Sequence, residues 1–364
     1  MTLFEPVKIL IEKSALDLPY AQKLLRYFSE TPVQEVDEIQ QTKKTLHDYF
    51  SKNVLLITDY KGDIIKRCPG TRGALCCNYY VANIINGCPF YCTYCILHDY
   101  INCGSVMICA NTEKFFDELR AKTREKFLLR LGTGELADSL ALEPFVHLND
   151  ELLPGLKECK NVVLELKTKS AFVDSILKYD VADKVVVGWS VNPQNIIDTD
   201  EYKSASLKQR IEAARIMAQN GYKVTFHFDP IILVPDWQEQ YRAVIRMLRD
   251  SIPGEQVAWL SLGGLRFTVS LRKIIQDRFK KSDILSYGEF VPCPDGKLRY
   301  FRPVRVNMYR FMLKEIMAWN RSIPVYLCME SQQVWKQVFG SLPLERSALA
   351  HVYTPYPDTD LHEE

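Results

Sequence analysis

The chain is predicted to fold as an α/β protein around a parallel sheet. Short β-branched runs near residues 79–86, 127–133, 162–168, 184–191, 222–229 and 256–262 alternate with longer amphipathic stretches such as Leu207–Gln219 and Trp237–Leu248. This βα rhythm is the pattern of parallel strands joined by crossover helices. At 364 residues the chain has room for one large barrel domain with small appendages or for two ordinary domains. Periodicity alone leaves open whether the six units close as a partial barrel or lie as an open, doubly wound sheet.

Taken in order, residues 1–75 read as an amino-terminal α/β leader. It holds an apolar run Val7–Ile11, a helical pattern Leu16–Phe28, a charged stretch and a second β-like run Val54–Thr58. Residues 76–270 carry the βα rhythm and form the expected core. Residues 271–364 are a carboxy-terminal extension with a helical part, a hairpin over 288–306 turned by Asp295-Gly296, and a run Ile323–Met329 that adds a seventh strand. The sequence has no tandem repeat and no low-complexity tract.

Composition narrows the partners. With 46 basic and 45 acidic residues the net charge is +1, so nothing global draws the chain to a polyanion or an anionic membrane, and a nucleic acid would have to meet a local patch. No run approaches the roughly 18 apolar residues of a membrane span, and the start MTLFEPVKILIEKS lacks a basic segment followed by an apolar one. A cytoplasmic protein with no membrane partner is expected. The eleven cysteines, Cys76 and Cys77 among them, form no disulfide framework. Reduced thiols and a metal fit better.

Three of those cysteines stand on one short stretch, Cys88-Pro89-Phe90-Tyr91-Cys92-Thr93-Tyr94-Cys95. Three thiolates can hold three irons of a four-iron cubane and leave the fourth iron open to an outside ligand, which suits a cluster that does chemistry. The other reading is zinc, with His98 as fourth ligand, although structural zinc sites usually split their ligands between two knuckles.

Parallel α/β barrels place their chemistry at the carboxyl ends of the strands, and here those positions are polar. Successive runs end at the cysteine loop, at Gly132-Thr133-Gly134-Glu135, at Lys167-Thr168-Lys169-Ser170, at Ser190-Val191-Asn192-Pro193 and at His227-Phe228-Asp229. The cysteine spacing resembles the cluster loop of radical S-adenosylmethionine (SAM) enzymes, and SAM has needs these residues match. Its amino group wants an acceptor such as Glu135 and its carboxylate a cation such as Lys169. Its ribose hydroxyls want a neutral pair such as Ser190 and Asn192, and its adenine a flat wall such as Tyr94.

A narrower resemblance rests on Ser190-Val191-Asn192-Pro193, Ser206-Leu207, Arg210-Ile211-Glu212-Ala213-Ala214, Gly221-Tyr222, Asp229-Pro230-Ile231-Ile232, Trp237 and Tyr241, together with Glu12–Pro19 and Leu166-Lys167-Thr168-Lys169. Over most of its length the chain resembles the spore photoproduct lyases and their relatives. The resemblance implies a partial (β/α)6 barrel of the radical SAM type, a [4Fe-4S] cluster on Cys88, Cys92 and Cys95, and SAM near Glu135, Lys169, Ser190 and Asn192. The implied reaction is repair of a DNA lesion in which a methylene bridge joins adjacent thymines, with electrons from a carrier such as flavodoxin or ferredoxin.

The chain departs from that family in two places. The lyases carry a hydrogen-donating cysteine after the second strand, where this chain reads Glu135-Leu136-Ala137-Asp138-Ser139-Leu140. They also carry a tyrosine immediately after the last cluster cysteine, where this chain has Ile96. Cys328, ending the last β-like run, is the candidate replacement donor. For DNA, the hairpin region offers Lys297, Arg299, Arg302, Arg305 and Arg310 interleaved with Tyr300, Phe301 and Tyr309, cations for phosphates and aromatics for bases. Arg266 is a further candidate substrate contact, or else the partner of a structural acid. A radical SAM enzyme acting on another substrate, and a zinc- or cluster-containing nucleic-acid binder without turnover, are the competing readings.

Overall fold

The computed structural model describes residues 3–39, 53–71, 73–75, 77–100, 105–125 and 128–342. Cys76, most of the leader's charged stretch and the tail from residue 343 lie outside the described residues. The chain divides into two compact units, one made of Met1–Arg67, Tyr80–Val185 and Tyr202–Ser204, the other of Cys68–Tyr79, Val186–Glu201 and Ala205–Glu364.

The first unit begins with β1 (Lys8–Glu12), α1 (Pro19–Tyr27), β2 (Val33–Val36) and β3 (Val54–Thr58). Pro19 opens α1 at a position whose N–H would have no helical partner, and Tyr20, Ala21 and Leu24 form its buried face. Then come β4 (Ile65–Arg67), β5 (Tyr80–Ala82), β6 (Ile85–Asn86), β7 (Tyr91–Cys92), α2 (Leu97–Tyr100), β8 (Val106–Cys109), α3 (Thr112–Glu125), β9 (Leu129–Gly132), α4 (Glu143–Val146), α5 (Leu148–Leu156) and β10 (Val162–Thr168).

One sheet of this unit has the order β2-β1-β3-β8-β6. Strands β2, β1, β3 and β8 are mutually parallel neighbours, and β6 runs antiparallel to β8. Leu10, Val54, Leu56 and Met107 pack into one cluster on it. The leader's sheet therefore takes a strand from well beyond residue 75. The neighbours β4, β5, β9 and β10 pair in that order, antiparallel for the first pair and parallel thereafter. Every residue of β10 but Lys167 is buried, the signature of a parallel strand covered on both faces. Its one buried acid, Glu165, meets Arg130 of β9 at 2.8 Å.

The second unit contains β11 (Val185–Ser190), α6 (Gln194–Asp200), β12 (Glu201–Tyr202), α7 (Leu207–Gln219), β13 (Lys223–Ile231), α8 (Trp237–Ser251), β14 (Val257–Gly264) and β15 (Arg266–Thr268). It continues with α9 (Val269–Arg278), β16 (Phe290–Pro292), β17 (Lys297–Tyr300), α10 (Arg302–Trp319), β18 (Val325–Leu327) and α11 (Gln332–Phe339). Strands β11, β13, β14 and β18 pair in that order, all parallel, so the final apolar run does supply a parallel strand. Trp189, Phe226, Phe228 and Trp259 fill its core. Helix α7 starts on a capping box in which Ser206 accepts from the Gln209 N–H and the Gln209 side chain accepts from the Ser206 N–H.

Strands β15, β17 and β16 form a small antiparallel sheet. The expected two-residue turn is longer: Cys293–Gly296 lies between the strands, with the Gly296 N–H donating to the Cys293 carbonyl at 2.9 Å and Gly296 at φ +78°. Asp295 is drawn inward by both guanidinium nitrogens of Arg299, at 2.6 and 2.7 Å. Among the described residues no helix is long and apolar enough to cross a membrane.

Candidate active site

The cysteine loop hangs between β6 and β8 of the first unit. Its entry depends on Gly87, at φ +98°, where a Cβ would come 2.5 Å from the Ser105 carbonyl oxygen. The Gly87 N–H donates to the Leu136 carbonyl at 2.8 Å, which ties the loop to the exit of β9. Within the loop the Cys95 N–H donates to the Cys92 carbonyl at 3.2 Å and the His98 N–H to the Cys95 carbonyl at 3.1 Å. None of Cys88, Cys92 and Cys95 is tied up in a disulfide.

The donor set separates the two metal readings. The Nε2 of His98 donates to the Cys92 carbonyl at 2.9 Å, and its ring lies edge-on to Tyr91, so that nitrogen is turned back on its own loop. Among the described residues no three His, Cys, Asp or Glu side chains gather closely enough to enclose a single ion. A cubane asks for something different, one thiolate on each of three separate irons, and three cysteines on one short loop, none in a disulfide, fit it.

The exits of β9 and β10 carry the next candidates. Gly134 lets them approach, since a Cβ there would lie 3.0 Å from the Lys167 carbonyl oxygen and 3.1 Å from the Ser139 hydroxyl. Thr133 donates its hydroxyl to Ser139 at 2.8 Å, and the Ser139 N–H donates to the Lys167 carbonyl at 3.1 Å. Glu135 is half-buried on the first exit. Lys169 is half-buried on the second, its ammonium 5.8 Å from the centre of the Tyr94 ring, a cation–π distance. Tyr94 and Lys169 are thus brought together as neighbours. Asp138, which the sequence reading did not single out, lies buried between the two exits.

In the second unit, Ser190 ends β11 and its carbonyl accepts from Arg210 at 2.9 Å. Arg210 is fully buried against Glu201, 2.6 Å away. Asn192 departs from its expected role. It is 1 % exposed, donates from Nδ2 to Glu201 at 2.9 Å, and accepts at Oδ1 from the Tyr241 hydroxyl at 2.8 Å. Tyr241 in turn accepts from the Ile232 N–H at 2.8 Å, and burial raises its pKa well above the usual phenol range. Both ends of the Asn192 amide are thus engaged by Glu201 and Tyr241.

Arg266 takes the structural alternative as well, pairing with Asp229 at 2.7 and 3.1 Å. Gly263 makes room for this pair, since a Cβ there would lie 2.5 Å from Asp229. Cys328, just past β18, holds its sulfur 3.9 Å from Arg266.

The hairpin cations divide into inward and outward groups. Arg299 is 4 % exposed and closed on Asp295, which corrects its expected place on a DNA-facing surface. Arg305 is buried on Glu330 at 2.8 Å, and Arg310 donates to the Gln337 carbonyl. Tyr300 stacks on Phe290 at 4.6 Å. What faces outward is Phe301, 51 % exposed, and Arg302, which reaches Gln333, while Lys297 is half-buried with its ammonium 3.5 Å from the Thr71 hydroxyl.

Solved structures share this fold. A spore photoproduct lyase complexed with dinucleoside spore photoproduct superposes with a TM-score of 0.77 at 19% identity, covering 90% of this chain and 100% of that one. A variant of spore photoproduct lyase with bound AdoMet and dinucleoside spore photoproduct also gives 0.77 at 19% identity, over 91% of this chain and 100% of its own. The fold is thus a partial α/β barrel with a curled parallel sheet, and with its three-thiol loop it defines a lyase of the radical SAM class.

The spore photoproduct lyase family model matches residues 4–289. The spore photoproduct lyase of Clostridium acetobutylicum is 21% identical over 330 residues, covering 83% of this chain and 95% of that protein. That of Bacillus subtilis is 24% identical over 296 residues, covering 77% and 84%. The chain belongs to the spore photoproduct lyase family.

Proposed function

We propose that the protein uses a [4Fe-4S] cluster and SAM to repair a methylene-bridged thymine dimer in DNA. The observation that carries this reading is the presence of three cysteines, none in a disulfide, on one loop in a chain whose family match spans residues 4–289. The solved relative with AdoMet and dinucleoside spore photoproduct supports the cofactor and the lesion. Cys88, Cys92 and Cys95 would hold the cluster, leaving it able to take an outside ligand such as SAM. Lys169 neutralises the SAM carboxylate, Glu135 accepts from its amino group, Tyr94 offers a flat wall, and Ser190 remains the candidate for a ribose hydroxyl. When bound, the cluster and SAM together supply a 5'-deoxyadenosyl radical that removes a hydrogen atom from the lesion. The electron comes from an external carrier such as flavodoxin or ferredoxin.

The hydrogen atom returned to the product cannot come from the 135–140 segment, which has no thiol. We assign it to Cys328, whose sulfur stands beside Arg266. The test is anaerobic. Reconstituted protein is given SAM, dithionite and an oligonucleotide containing the bridged dimer, and 5'-deoxyadenosine and restored thymine are quantified. Both products are expected from the parent, and deoxyadenosine without restored thymine from Cys328→Ala. Deoxyadenosine with no repair by the parent would move the protein to another substrate, and full repair by Cys328→Ala would remove that residue from the reaction.

DNA contact is assigned to Phe301, Arg302 and Lys297. Replacing Lys297 and Arg302 together with alanine is expected to weaken binding of a duplex oligonucleotide about tenfold and to flatten its salt dependence by roughly two charges. SAM cleavage without DNA should be unchanged. Identical salt slopes in the two proteins would place the DNA contact elsewhere.

A further inference from the structure

We infer that Asp138 is a positioning residue that holds the exits of β9 and β10, and with them Glu135 and Lys169, in the register SAM requires. The inference rests on the SAM site proposed above. Asp138 is 8 % exposed, and a carboxylate so placed is costly unless its oxygens are saturated. They are. Oδ1 accepts from the Leu140 N–H at 3.0 Å, the Ala141 N–H at 2.9 Å and the Thr168 hydroxyl at 2.6 Å. Oδ2 accepts from the Lys169 N–H at 2.6 Å.

The four bonds do different work. Those from Leu140 and Ala141 close a local turn of the kind an aspartate makes on its own backbone. Those from Thr168 and Lys169 cross to the neighbouring strand end, and the second grips the backbone of the residue whose ammonium lies over Tyr94. The same segment is also anchored toward the cysteines, because the Gly87 N–H, next to Cys88, donates to the Leu136 carbonyl. One short stretch thus links the cluster loop, the candidate acceptor for the SAM amino group and the candidate cation for its carboxylate. A ligand gripped at both charged ends is sensitive to displacements well under 1 Å between the gripping groups.

Asp138→Asn keeps the shape but turns an amide NH2 either toward the Lys169 N–H, losing that crossing bond, or toward the Leu140 and Ala141 N–H groups, losing the turn that holds the side chain in place. Parent and variant are reconstituted and compared for iron and sulfide content, SAM affinity by equilibrium dialysis, kcat and KM for SAM in deoxyadenosine formation, and the EPR change SAM causes in the reduced cluster. The variant is expected to load the cluster like the parent, to bind SAM about tenfold more weakly, and to show the loss in KM and not in kcat. Its EPR change should need correspondingly more SAM. SAM affinity equal to the parent's, or a loss confined to kcat, would overturn the inference. A parent that loads no cluster or binds no SAM would instead sink the proposed function. Should Asp138→Asn fail to fold, Thr168→Val decides in its place, since it removes one crossing donor and keeps the side-chain shape. Weaker SAM binding with full cluster content supports the inference, and unchanged binding overturns it.

Discussion

Cys92→Ala is expected to abolish cluster loading and SAM cleavage together while leaving the fold intact. Cys92 is the central thiol of the loop and is 8 % exposed. The bonds that form the turn, from the Cys95 N–H and from His98 Nε2, go to the Cys92 carbonyl, which alanine keeps. Two thiolates cannot hold three irons, so the cluster is lost with the third. The reconstituted variant should be colourless, lack the broad absorption near roughly 400 nm of such clusters, and release deoxyadenosine only at the rate of a protein-free control. Its thermal midpoint before iron is added should match the parent's. Brown colour and undiminished SAM cleavage in Cys92→Ala would remove this cysteine from the ligand set.

Stability should fall as pH rises through neutrality, and one carboxyl is expected to account for much of the fall. Glu143 of α4 is buried, and both of its oxygens accept from the Asn149 N–H at 3.2 Å, closing the start of α5. Burial pushes its pKa from 4.5 up to about 8. Asn149 and Ser175 pull the other way, and repulsion from Asp150 adds to the rise. The folded state therefore keeps a proton over the window from 4.5 to about 8 that the unfolded chain gives up. The stabilisation is complete below the unfolded value and is lost progressively as pH climbs to the folded one. The shift amounts to roughly 3–5 kcal/mol across the window. Glu143→Gln should flatten this dependence and exceed the parent in stability at about pH 9, as read from denaturant unfolding at several pH values. Equal pH slopes in the two proteins would show that Glu143 is not the group responsible.

Much of this was readable in the order of residues, and the reasons for the exceptions are physical. Strands β10, β11, β13 and β14 appeared as apolar runs because a parallel strand buried on both faces must be apolar throughout. Strand β2 was missed because its sequence, Val33-Gln34-Glu35-Val36, is exposed at an edge. Strand β8 was missed because four residues give too short a run to separate from a loop. Cysteine spacing is chemistry written along one loop, so it survives without coordinates. Asn192, Arg299 and Arg305 are different, since a polar side chain looks equally available whether it meets a ligand or a buried partner within the chain. Asp138 left one usable trace, an aspartate two residues ahead of the run Leu140-Ala141-Leu142, which is the pattern of a side chain capping the next turn.

The antiparallel pairing of Ile85 with Ile108 and Asn86 with Met107 closes the cysteine loop at its base, and β8 then lies directly against β3. With the cluster held as proposed, iron binding and the amino-terminal sheet are thermodynamically linked. Metal that binds only when the loop's base is formed adds its binding free energy to every strand on which that base depends. Chelation should then be felt first as faster amide exchange in β1 and β3, far along the chain from the nearest sulfur. The amino-terminal segment serves as the foundation of the proposed metal site, and a chain begun at residue 76 is expected to lose the cluster along with its first strands.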